Sequence, residues 1–263
     1  MAEYLVIKIG GKPASNQAVL DALIADIGDL FQAGNGRHLI PVLVHGGGAD
    51  VTELSKRLGL EPTFVGGKRM TSPAEMQIVE AVLAGNVNTR ILRRFLAAGI
   101  PAVGLSGVDG GLFTAVSIDP ASGNRTGSIT ATQPKIVEDL GKAGYATVIS
   151  SVSCDEQGEG GFNINADDAA MALAIGLKAH SLVFLSDIPG ILKNGSVLLK
   201  VDPEIAEAEI AAGVISGGMI PKVQSSLGAL EQGVGSVVIG GYQNRGDLPG
   251  FLDGKLGTSM VRA

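Results

Sequence analysis

The sequence predicts an α/β fold, an αβα sandwich built on an open, mainly parallel sheet and divided into two lobes. Short apolar runs alternate along the chain with segments whose apolar residues recur at helical spacing. The first two apolar runs end in glycines, which suits strand ends in an open α/β sheet. With 263 residues, 45% of them hydrophobic, the chain can bury a large core, and we expect one domain over residues 1–263.

The first predicted elements form a strand–helix–strand unit. Leu5–Ile9 and Leu39–Val44 are apolar runs typical of buried parallel strands. Between them, residues 16–33 repeat apolar side chains at helical spacing, and Gly34 and Gly36 can end that helix. The unit predicts a right-handed crossover between two neighbouring parallel strands.

A long helix is predicted from Ser72 to Ala98. Ser72 can cap it, Pro73 suits the first helical position and Glu75 the third, while Pro101 lies just beyond its end. At 1.5 Å per residue such a helix is roughly 40 Å long. Because so long a helix has apolar surface to spare, we expect it to pack on a second copy of the chain in a homodimer.

The remaining predicted elements continue the alternation. Strands are expected at 102–105, 146–152, 181–185 and 237–240, with a hairpin over 114–130 that turns at 120–124. Helices are expected at 168–177, 202–212 and 222–231. We expect the two lobes to comprise approximately 1–175 and approximately 176–263.

Composition excludes several classes of function. The net charge of −6, with scattered basic residues, gives no reason to expect a nucleic-acid partner. A single cysteine, Cys154, excludes an intrachain disulfide and fits a reducing cytoplasm, and three dispersed histidines make no metal cluster. No apolar run approaches the roughly 20 residues that cross a bilayer, so no membrane association is expected.

Glycines follow the first two predicted strands, at Gly10–Gly11 and Gly46–Gly48. Such glycines let backbone amides approach a phosphate closely, and a following helix N-terminus adds partial positive charge. Plain tight turns are the alternative for either loop. Neither loop has the P-loop or the dinucleotide-binding pattern, which argues against a nicotinamide oxidoreductase.

Two lysines are candidates for binding an anion. Lys8 lies inside a buried strand, where an unpaired ammonium would cost several kcal/mol, so it must reach an anion or the sheet edge. The carboxyl end of a parallel strand is where open α/β sheets bind ligands. Lys222 follows Pro221 at a helix start, where a lysine is usually solvated and opposes the helix dipole unless an anion lies beside it.

Polar side chains in the middle of the chain could complete a site. Asp167 precedes an apolar helix and could cap it, hold the two lysine ammonium groups, or do both. Asn163 and Asn165 flank Ile164, so on a strand both amides would project from one face, either to a carboxylate or into hairpin hydrogen bonds. Arg69 could grip a carboxylate with two parallel hydrogen bonds.

Taken together, these segments resemble the amino-acid kinase family, over essentially the whole chain, and within it the branch that acts on N-acetyl-L-glutamate. The motifs that carry the resemblance are Ile7-Lys-Ile-Gly-Gly11, Val44-His-Gly-Gly-Gly48, Arg69-Met-Thr71, Ala84-Gly-Asn86, Val103-Gly-Leu-Ser-Gly-Val-Asp-Gly110, Phe162-Asn-Ile-Asn-Ala-Asp167, Leu185-Ser-Asp-Ile-Pro-Gly-Ile-Leu192 and Gly217-Gly-Met-Ile-Pro-Lys222. Met70 and Ser72-Pro73 depart from the valine and aspartate of many members, at the edge of the expected substrate pocket.

The resemblance implies ATP-dependent phosphorylation of the γ-carboxylate of N-acetyl-L-glutamate, a step of arginine biosynthesis. It assigns the phosphoryl group to Lys8 and Lys222, oriented by Asp167, and to the amides of Gly11 and Gly47. It places the substrate against Gly47 and Gly48, with its α-carboxylate on Arg69 and Asn163 and with Asn165 nearby. It assigns ATP, with Mg²⁺ on its phosphates, to Asp187, Ile188, Pro189, Gly190, Ile191, Leu192, Val214, Ile215 and Ser216.

Other readings of the same fold stay open. A sibling kinase could act on free glutamate or on a carrier-linked aminoadipate or glutamate, although the sequence shows no strong basic rim for an acidic carrier. A non-catalytic ligand sensor could use the same fold. Members inhibited by arginine carry a helix before the first strand, whereas Lys8 here is seven residues from the start, so we expect a homodimer insensitive to arginine by that route.

Overall fold

The computed structural model describes residues 3–10, 14, 16–32, 39–66 and 68–262. Its strands are β1 Glu3–Ile9, β2 Leu39–His45, β3 Thr63–Val65, β4 Lys68–Met70, β5 Ala102–Ser106, β6 Phe113–Ser117, β7 Thr126–Thr132, β8 Ala146–Ser150, β9 Val152–Cys154, β10 Gly161–Ile164, β11 Ser181–Leu185, β12 Leu192–Lys193, β13 Ser196–Val197, β14 Lys200–Val201, β15 Ser236–Gly240 and β16 Thr258–Met260. Its α-helices are α1 Gln17–Phe31, α2 Gly48–Arg57, α3 Pro73–Glu80, α4 Asn88–Ala97, α5 Lys135–Lys142, α6 Ala166–Gly176, α7 Pro203–Ala211, α8 Met219–Glu231 and α9 Asp247–Leu252.

The chain forms two compact units. Unit 1 comprises Met1–Pro41 and Ala174–Ala263, and unit 2 comprises Val42–Leu173. The predicted lobes assigned the first 41 residues to the N-terminal lobe, whereas in the structure these residues belong to the same unit as the C-terminal part of the chain. The reason is strand pairing, because β1 runs parallel to β11, with Leu5 opposite Ser181 and Lys8 opposite Phe184.

Unit 1 is built on a sheet with the strand order β14, β16, β15, β11, β1. Neighbouring strands are parallel except β15 and β16, which are antiparallel. Every residue of β11 is buried, as expected for a central strand of an α/β sheet. Helix α8 packs on β15 and β16, and α9 packs on α1 and β15. The predicted mainly parallel α/β architecture is therefore confirmed in this unit.

Unit 2 contains a parallel arrangement of β2, β8 and β5 and a small closed barrel of β10, β7, β6 and β9. All seven residues of β2 are buried, and helices α4 and α5 both pack on β8. The predicted hairpin is confirmed, since β6 and β7 pair antiparallel around a 3-10 turn at Pro120–Ser122. The single strand predicted over 146–152 is wrong: β8 ends at Ser150, and Val152 begins β9 of the barrel.

The long helix predicted from Ser72 to Ala98 is present, but it is not α-helical throughout. Ser72 caps it as predicted, because its Oγ accepts a hydrogen bond from the Glu75 backbone N–H at 3.2 Å. Between α3 and α4 the chain forms a π-helical turn over Ala81–Val87. Such turns are frequent at functional sites, and no period in the sequence signals this one. Among the described residues, no helix is long and apolar enough to cross a membrane.

Candidate functional site

Lys8 lies near the carboxyl end of β1 in unit 1, and its side chain extends along the strand. A Cβ atom added at Gly10 would lie only 2.5 Å from the Lys8 Nζ, so the ammonium rests against the glycine backbone. Residues two apart on a strand project from the same face, which places Lys8 and Gly10 together. The absence of a side chain at Gly10 therefore leaves room for the ammonium. Gly11, predicted to donate its amide to the same group, lies outside the described residues.

Lys222 lies in the first turn of α8, and its Nζ is 4.7 Å from the centroid of the Phe184 ring. A cation over an aromatic face is stabilised by the ring quadrupole. Phe184 is the register partner of Lys8 on the neighbouring parallel strand, so the two side chains project from the same face of the sheet. The structure thus brings both predicted lysines to one face of unit 1, a suitable arrangement for a polyanion.

The predicted nucleotide segment Asp187–Leu192 follows β11. The Ile191 N–H donates to Thr258 Oγ1 at 2.8 Å, and the Ser186 N–H donates to the Gly240 carbonyl at 2.8 Å. Gly190 has φ 150°, and a Cβ there would lie 2.7 Å from Val197 Cγ1. The segment is held against β15 and β16 by its backbone, which explains why glycine is needed in its middle.

A cavity of about 270 Å³ opens beside this segment in unit 1. Of the predicted nucleotide residues, Pro189 lines it, whereas Val214–Ser216 do not. Instead, the Val214 and Ile215 N–H groups both donate to the Glu209 carbonyl, at 2.9 and 3.0 Å, which satisfies the C-terminal end of α7. Sequence reasoning missed the other lining residues, which are Val197, Leu199, Gly241, Gln243, Asn244, Asp247, Phe251, Lys255, Leu256 and Gly257.

Buried Asp26 of α1 fixes the loop that lines this cavity. Its carboxylate accepts hydrogen bonds from the Tyr242 hydroxyl at 2.9 Å and from the Gly246 and Leu248 N–H groups at 2.9 and 3.2 Å. Burial, together with the hydrogen bond to Asp26, raises the pKa of Tyr242. Several donors on one buried carboxylate compensate its loss of hydration, so the loop is tied firmly to α1.

In unit 2, the Gly46–Gly48 turn joins β2 to α2. His45, the last residue of β2, contacts the Gly46 carbonyl through Nδ1 at 2.8 Å and Asn88 Nδ2 through Nε2 at 3.1 Å. A carbonyl can only accept, so Nδ1 carries the proton and Nε2 accepts. Burial lowers the pKa of His45 to about 4, and the ring is neutral at pH 7. Sequence reasoning gave neither His45 nor Asn88 a role.

Gly47 packs directly against the π-helical turn. A Cβ at Gly47 would lie 2.7 Å from Leu83 Cδ2 and 3.1 Å from Val87 Cγ2, whereas a Cβ at Gly48 would meet open space. A Cβ at Gly46 would touch the Ala166 Cβ at 3.5 Å, at the start of α6. The turn therefore lies between the π-helical turn and α6, and the N-terminus of α2 adds partial positive charge to it.

Arg69 of β4 is buried and tied to the glycine turn. Its Nη2 donates to the Gly48 carbonyl at 3.0 Å and to Thr52 Oγ1, and its guanidinium stacks on the exposed Phe64 ring at 4.8 Å. Its Nη1 donates to Glu75 Oε1 at 2.8 Å, and the two residues are only 8% and 5% exposed. The arginine predicted to bind a ligand carboxylate thus already has a carboxylate partner in the protein.

The segment from Asn163 to Asp167 differs from its prediction. Asn163 lies on β10, and its Nδ2 donates to Thr71 Oγ1 at 2.9 Å, two residues from Arg69. Asn165 lies beyond the strand, so the predicted pairing of both amides on one strand face is wrong. Its Oδ1 instead accepts from the Asp167 N–H at 2.8 Å, which caps α6. Asp167 lies in the first turn of α6, and Asn165 is the residue that caps that helix.

The candidate site residues of unit 2 are therefore the glycine turn, Arg69 and Asn163. Those of unit 1 are two lysines on one sheet face and, separately, the residues that line the cavity beside Pro189. Within the described ranges, no group of three or more histidine, cysteine, aspartate or glutamate side chains is placed to hold a metal ion. The donors present suit anionic ligands: backbone amides, ammonium groups and a guanidinium.

Comparisons with known proteins agree with this chemistry. The model of the amino acid kinase family matches residues 3–241. An acetylglutamate kinase of Geobacillus sp. (strain WCH70) is 36% identical over 262 residues, which cover 100% of this chain and 98% of the relative. The crystal structure of smu.665 from Streptococcus mutans UA159 superposes with a TM-score of 0.80 at 27% identity, with 99% of each chain covered.

A more distant structure has the same fold. The carbamate kinase from Giardia lamblia bound to AMP-PNP superposes with a TM-score of 0.70 at 17% identity, and the match covers 100% of this chain and 99% of that one. The family model covers most of the chain, and the curated relative covers all of it. On these grounds the chain belongs to the amino acid kinase family.

Proposed function

We propose that this protein is an acetylglutamate kinase, which uses ATP to phosphorylate the γ-carboxylate of N-acetyl-L-glutamate in arginine biosynthesis. The relative from Geobacillus, named for this activity, supports the proposal along the whole chain. The observation that carries it is the placement of Lys8 and Lys222 on one face of the unit 1 sheet, through Phe184. Two cations on one face suit a group that carries several negative charges.

The proposed reaction needs no proton transfer. A γ-carboxylate oxygen attacks the γ-phosphorus of ATP, an oxygen–phosphorus bond forms, the bond from that phosphorus to the bridging oxygen breaks, and ADP leaves. A carboxylate is already ionised at neutral pH, so no general base is required. His45 is buried, and its lowered pKa leaves the ring neutral at pH 7, which is consistent with this chemistry. Positioning and charge neutralisation are then the main contributions of the protein.

The roles of individual residues are part of the proposal. Lys8 and Lys222 neutralise charge on the transferring phosphoryl group, and Asp167 orients their ammonium groups. The amides of Gly11 and Gly47 bind the same group. The substrate lies against Gly47 and Gly48, and Arg69 and Asn163 bind its α-carboxylate. Two bonds support this last assignment: Arg69 is held against the glycine turn by the Gly48 carbonyl, and Asn163 is bonded to Thr71, two residues from Arg69.

ATP is proposed to bind in unit 1, near Asp187–Leu192 and Val214–Ser216. The cavity beside Pro189 and the lysine ammonium groups fit the base and the phosphates of a nucleotide in their chemistry. Mg²⁺, when bound to the ATP phosphates, neutralises part of their charge. We also propose a homodimer through the helix of residues 72–98, and a cytoplasmic location. The proposed substrate is a free small molecule and not a carrier-linked one.

The experiment that tests the function traps the acyl phosphate with hydroxylamine and measures the hydroxamate. The protein is incubated with ATP, magnesium and one of four acids: N-acetylglutamate, glutamate, aspartate or N-acetylaspartate. We expect signal with N-acetylglutamate alone and a large loss of signal in Lys222→Ala. Signal with free glutamate alone would replace the proposed substrate, and no signal with any acid would refute the proposed activity on free acids.

A further inference from the structure

Two carbonyl groups of the Gly46–Gly48 turn are held by side-chain donors. The Gly46 carbonyl accepts from His45 Nδ1 at 2.8 Å, and the Gly48 carbonyl accepts from Arg69 Nη2 at 3.0 Å. The Gly46–Gly47 peptide is trans and planar, so its carbonyl and its N–H point in opposite directions. Whatever fixes the Gly46 carbonyl therefore also fixes the direction of the Gly47 N–H.

The His45 ring is itself held in place by Asn88. The Asn88 Nδ2 lies 3.1 Å from His45 Nε2, 2.9 Å from the Val148 carbonyl and 3.3 Å from the Leu105 carbonyl. Because the two carbonyls can only accept, the atom near them is the amide nitrogen, and its two hydrogens are shared among the three acceptors. The Asn88 amide thus links the backbones of β5 and β8 to the His45 ring.

The glycine at position 104 leaves space for the Asn88 side chain. A Cβ at Gly104 of β5 would lie 2.1 Å from Asn88 Oδ1, so no larger residue fits there while Asn88 keeps its position. Asn88 directly follows the π-helical turn, and Leu83 and Val87 of that turn contact Gly47. One helical turn therefore supports the glycine turn twice, by packing on Gly47 and by presenting Asn88 to His45.

We propose that Asn88 and His45 are positioning residues for phosphoryl transfer, because together they set the plane of the Gly46–Gly47 peptide and aim the Gly47 N–H at the transferring phosphoryl group. The inference rests on the proposed function, in which the Gly47 amide binds that group. Asn88 touches neither substrate nor nucleotide in this scheme and acts only through His45. The charges of Arg90 and Asp50 both act on the ring, and their effects on its pKa oppose each other. The neutral ring preserves the acceptor at Nε2.

The first test needs no activity and uses the wild-type chain. Long-range ¹H–¹⁵N spectra of the histidine rings at pH 7 should show one ring with the proton on Nδ1, and that signal should disappear in His45→Asn. Asn88→Asp replaces the donor to Nε2 with an acceptor and should shift the His45 signals. A proton on Nε2 of His45 in the wild type would overturn the proposal, because the Gly46 carbonyl would then have no donor.

The second test uses two variants of His45, each of which replaces one of the two ring nitrogens with an amide nitrogen. His45→Asn places an amide nitrogen near the position of Nδ1 and keeps a donor for Gly46, whereas His45→Gln reaches only the position of Nε2. Removal of one oxyanion donor typically lowers kcat by about 100-fold to 1,000-fold, so a misdirected Gly47 N–H in His45→Gln should lower kcat by at least about 30-fold. His45→Asn keeps the donor to the Gly46 carbonyl but loses the contact with Asn88, so its kcat should fall clearly less than that of His45→Gln. KM should change little in both, because the contact acts in the transition state.

A control separates orientation from loss of packing. Ser153, buried in the barrel of unit 2, donates to the Phe113 carbonyl, and Ser153→Ala removes a buried donor without touching the glycine turn. It should leave kcat unchanged. Equal losses of kcat in His45→Asn and His45→Gln would overturn the proposal. If the wild type phosphorylates no acid, the proposed function fails, but the positioning can still be tested by NMR. The chemical shift of the Gly47 amide should then change more in His45→Gln than in His45→Asn, and equal changes would overturn the positioning.

Discussion

The two units use different means to bind an anion. Unit 1 presents charge on long side chains, Lys8 and Lys222, beside a glycine and an aromatic ring. Unit 2 presents backbone amides in a glycine turn, and its nearby charges are largely paired within the protein, as in Arg69 with Glu75 and Arg90 with Asp50. Unit 1 therefore contributes mainly charge, and unit 2 mainly geometry. We expect substitutions in unit 2 to lower the free energy of unfolding and substitutions of the unit 1 lysines to lower kcat.

The largest expected effect lies in unit 2, where breaking the buried Arg69–Glu75 pair should destabilise the fold. Arg69→Met leaves Glu75 as a buried carboxylate without its cation, which typically costs about 3–5 kcal/mol. Urea unfolding monitored by circular dichroism should show a lower midpoint with the same slope. Arg90→Met is the matched control, since the Arg90–Asp50 pair is about one-third exposed and should cost less than about 1 kcal/mol. Equal losses in the two variants would contradict the comparison.

The next effect is a pH dependence of unit 2 that comes from His45. Its folded pKa of about 4 lies below the ordinary 6.5, so the unfolded chain takes up the proton first as pH falls. Above pH 6.5 the His45 ring is neutral in both states and does not lower the free energy of unfolding. Between pH 6.5 and 4 the unfolded chain is protonated first, and the free energy of unfolding falls by about 3 kcal/mol in all. Urea unfolding at several pH values should show a steeper decline in wild type than in His45→Asn. Parallel curves would show that the ring titrates normally.

In unit 1, removal of either lysine should affect catalysis and leave folding almost unchanged. We expect Lys8→Ala and Lys222→Ala each to lower kcat by about 100-fold or more, equivalent to about 2.7 kcal/mol of barrier, by analogy with the loss of an oxyanion donor. The free energy of unfolding should change by less than about 1 kcal/mol. Lys200→Ala removes an exposed lysine of the same unit and should keep wild-type kcat. Near-normal turnover in both lysine variants would refute the roles proposed for them.

The smallest expected effect comes from Gly10→Ala. The new Cβ would lie 2.5 Å from the Lys8 Nζ, and the flexible end of the lysine can move aside at little cost in stability. Displacing the ammonium should lower kcat by about tenfold, less than its removal. Gly228→Ala in α8 is the control, because a Cβ there meets no atom within 4 Å and should stabilise the helix by about 0.5–1 kcal/mol with unchanged kcat. A Gly10→Ala enzyme with wild-type kcat would argue against a precise position for the ammonium.

The sequence predicts the fold best where a strand is fully buried and short. Ser181–Leu185 is predicted with its observed bounds, because an apolar run between polar residues allows little else. Helix α2 is missed, since its sequence Gly48–Arg57 opens with glycine and carries only a few apolar residues to mark its buried face. The hairpin of β6 and β7 is predicted, but the closure of the barrel is missed. The pairs that close it join distant residues, Thr126 with Asn163 and Thr114 with Cys154, and no local period signals them.

The site is predictable as a set of residues but not as a set of contacts. Lysines and glycines at strand ends point to an anion because their chemistry is local. The bond between His45 and Asn88 joins residues 43 positions apart, and nothing in either segment signals the other. The role of Asn165, by contrast, has a local signal. An asparagine directly before an apolar helix is a common N-cap, and Asn165 caps α6 in this way.

The division of unit 1 between the two ends of the chain has a consequence for synthesis. Strand β1 leaves the ribosome first, but its partner β11 follows about 175 residues later. Unit 2 is continuous, so all of its strand pairings are available before unit 1 can form its sheet. At roughly 5–20 residues per second, β11 follows β1 by about 9–35 seconds, and the edge of β1 that pairs with β11 is unpaired during that interval. During that interval the nascent chain is most exposed to aggregation, and we expect chaperone binding to the first 40 residues to matter most then.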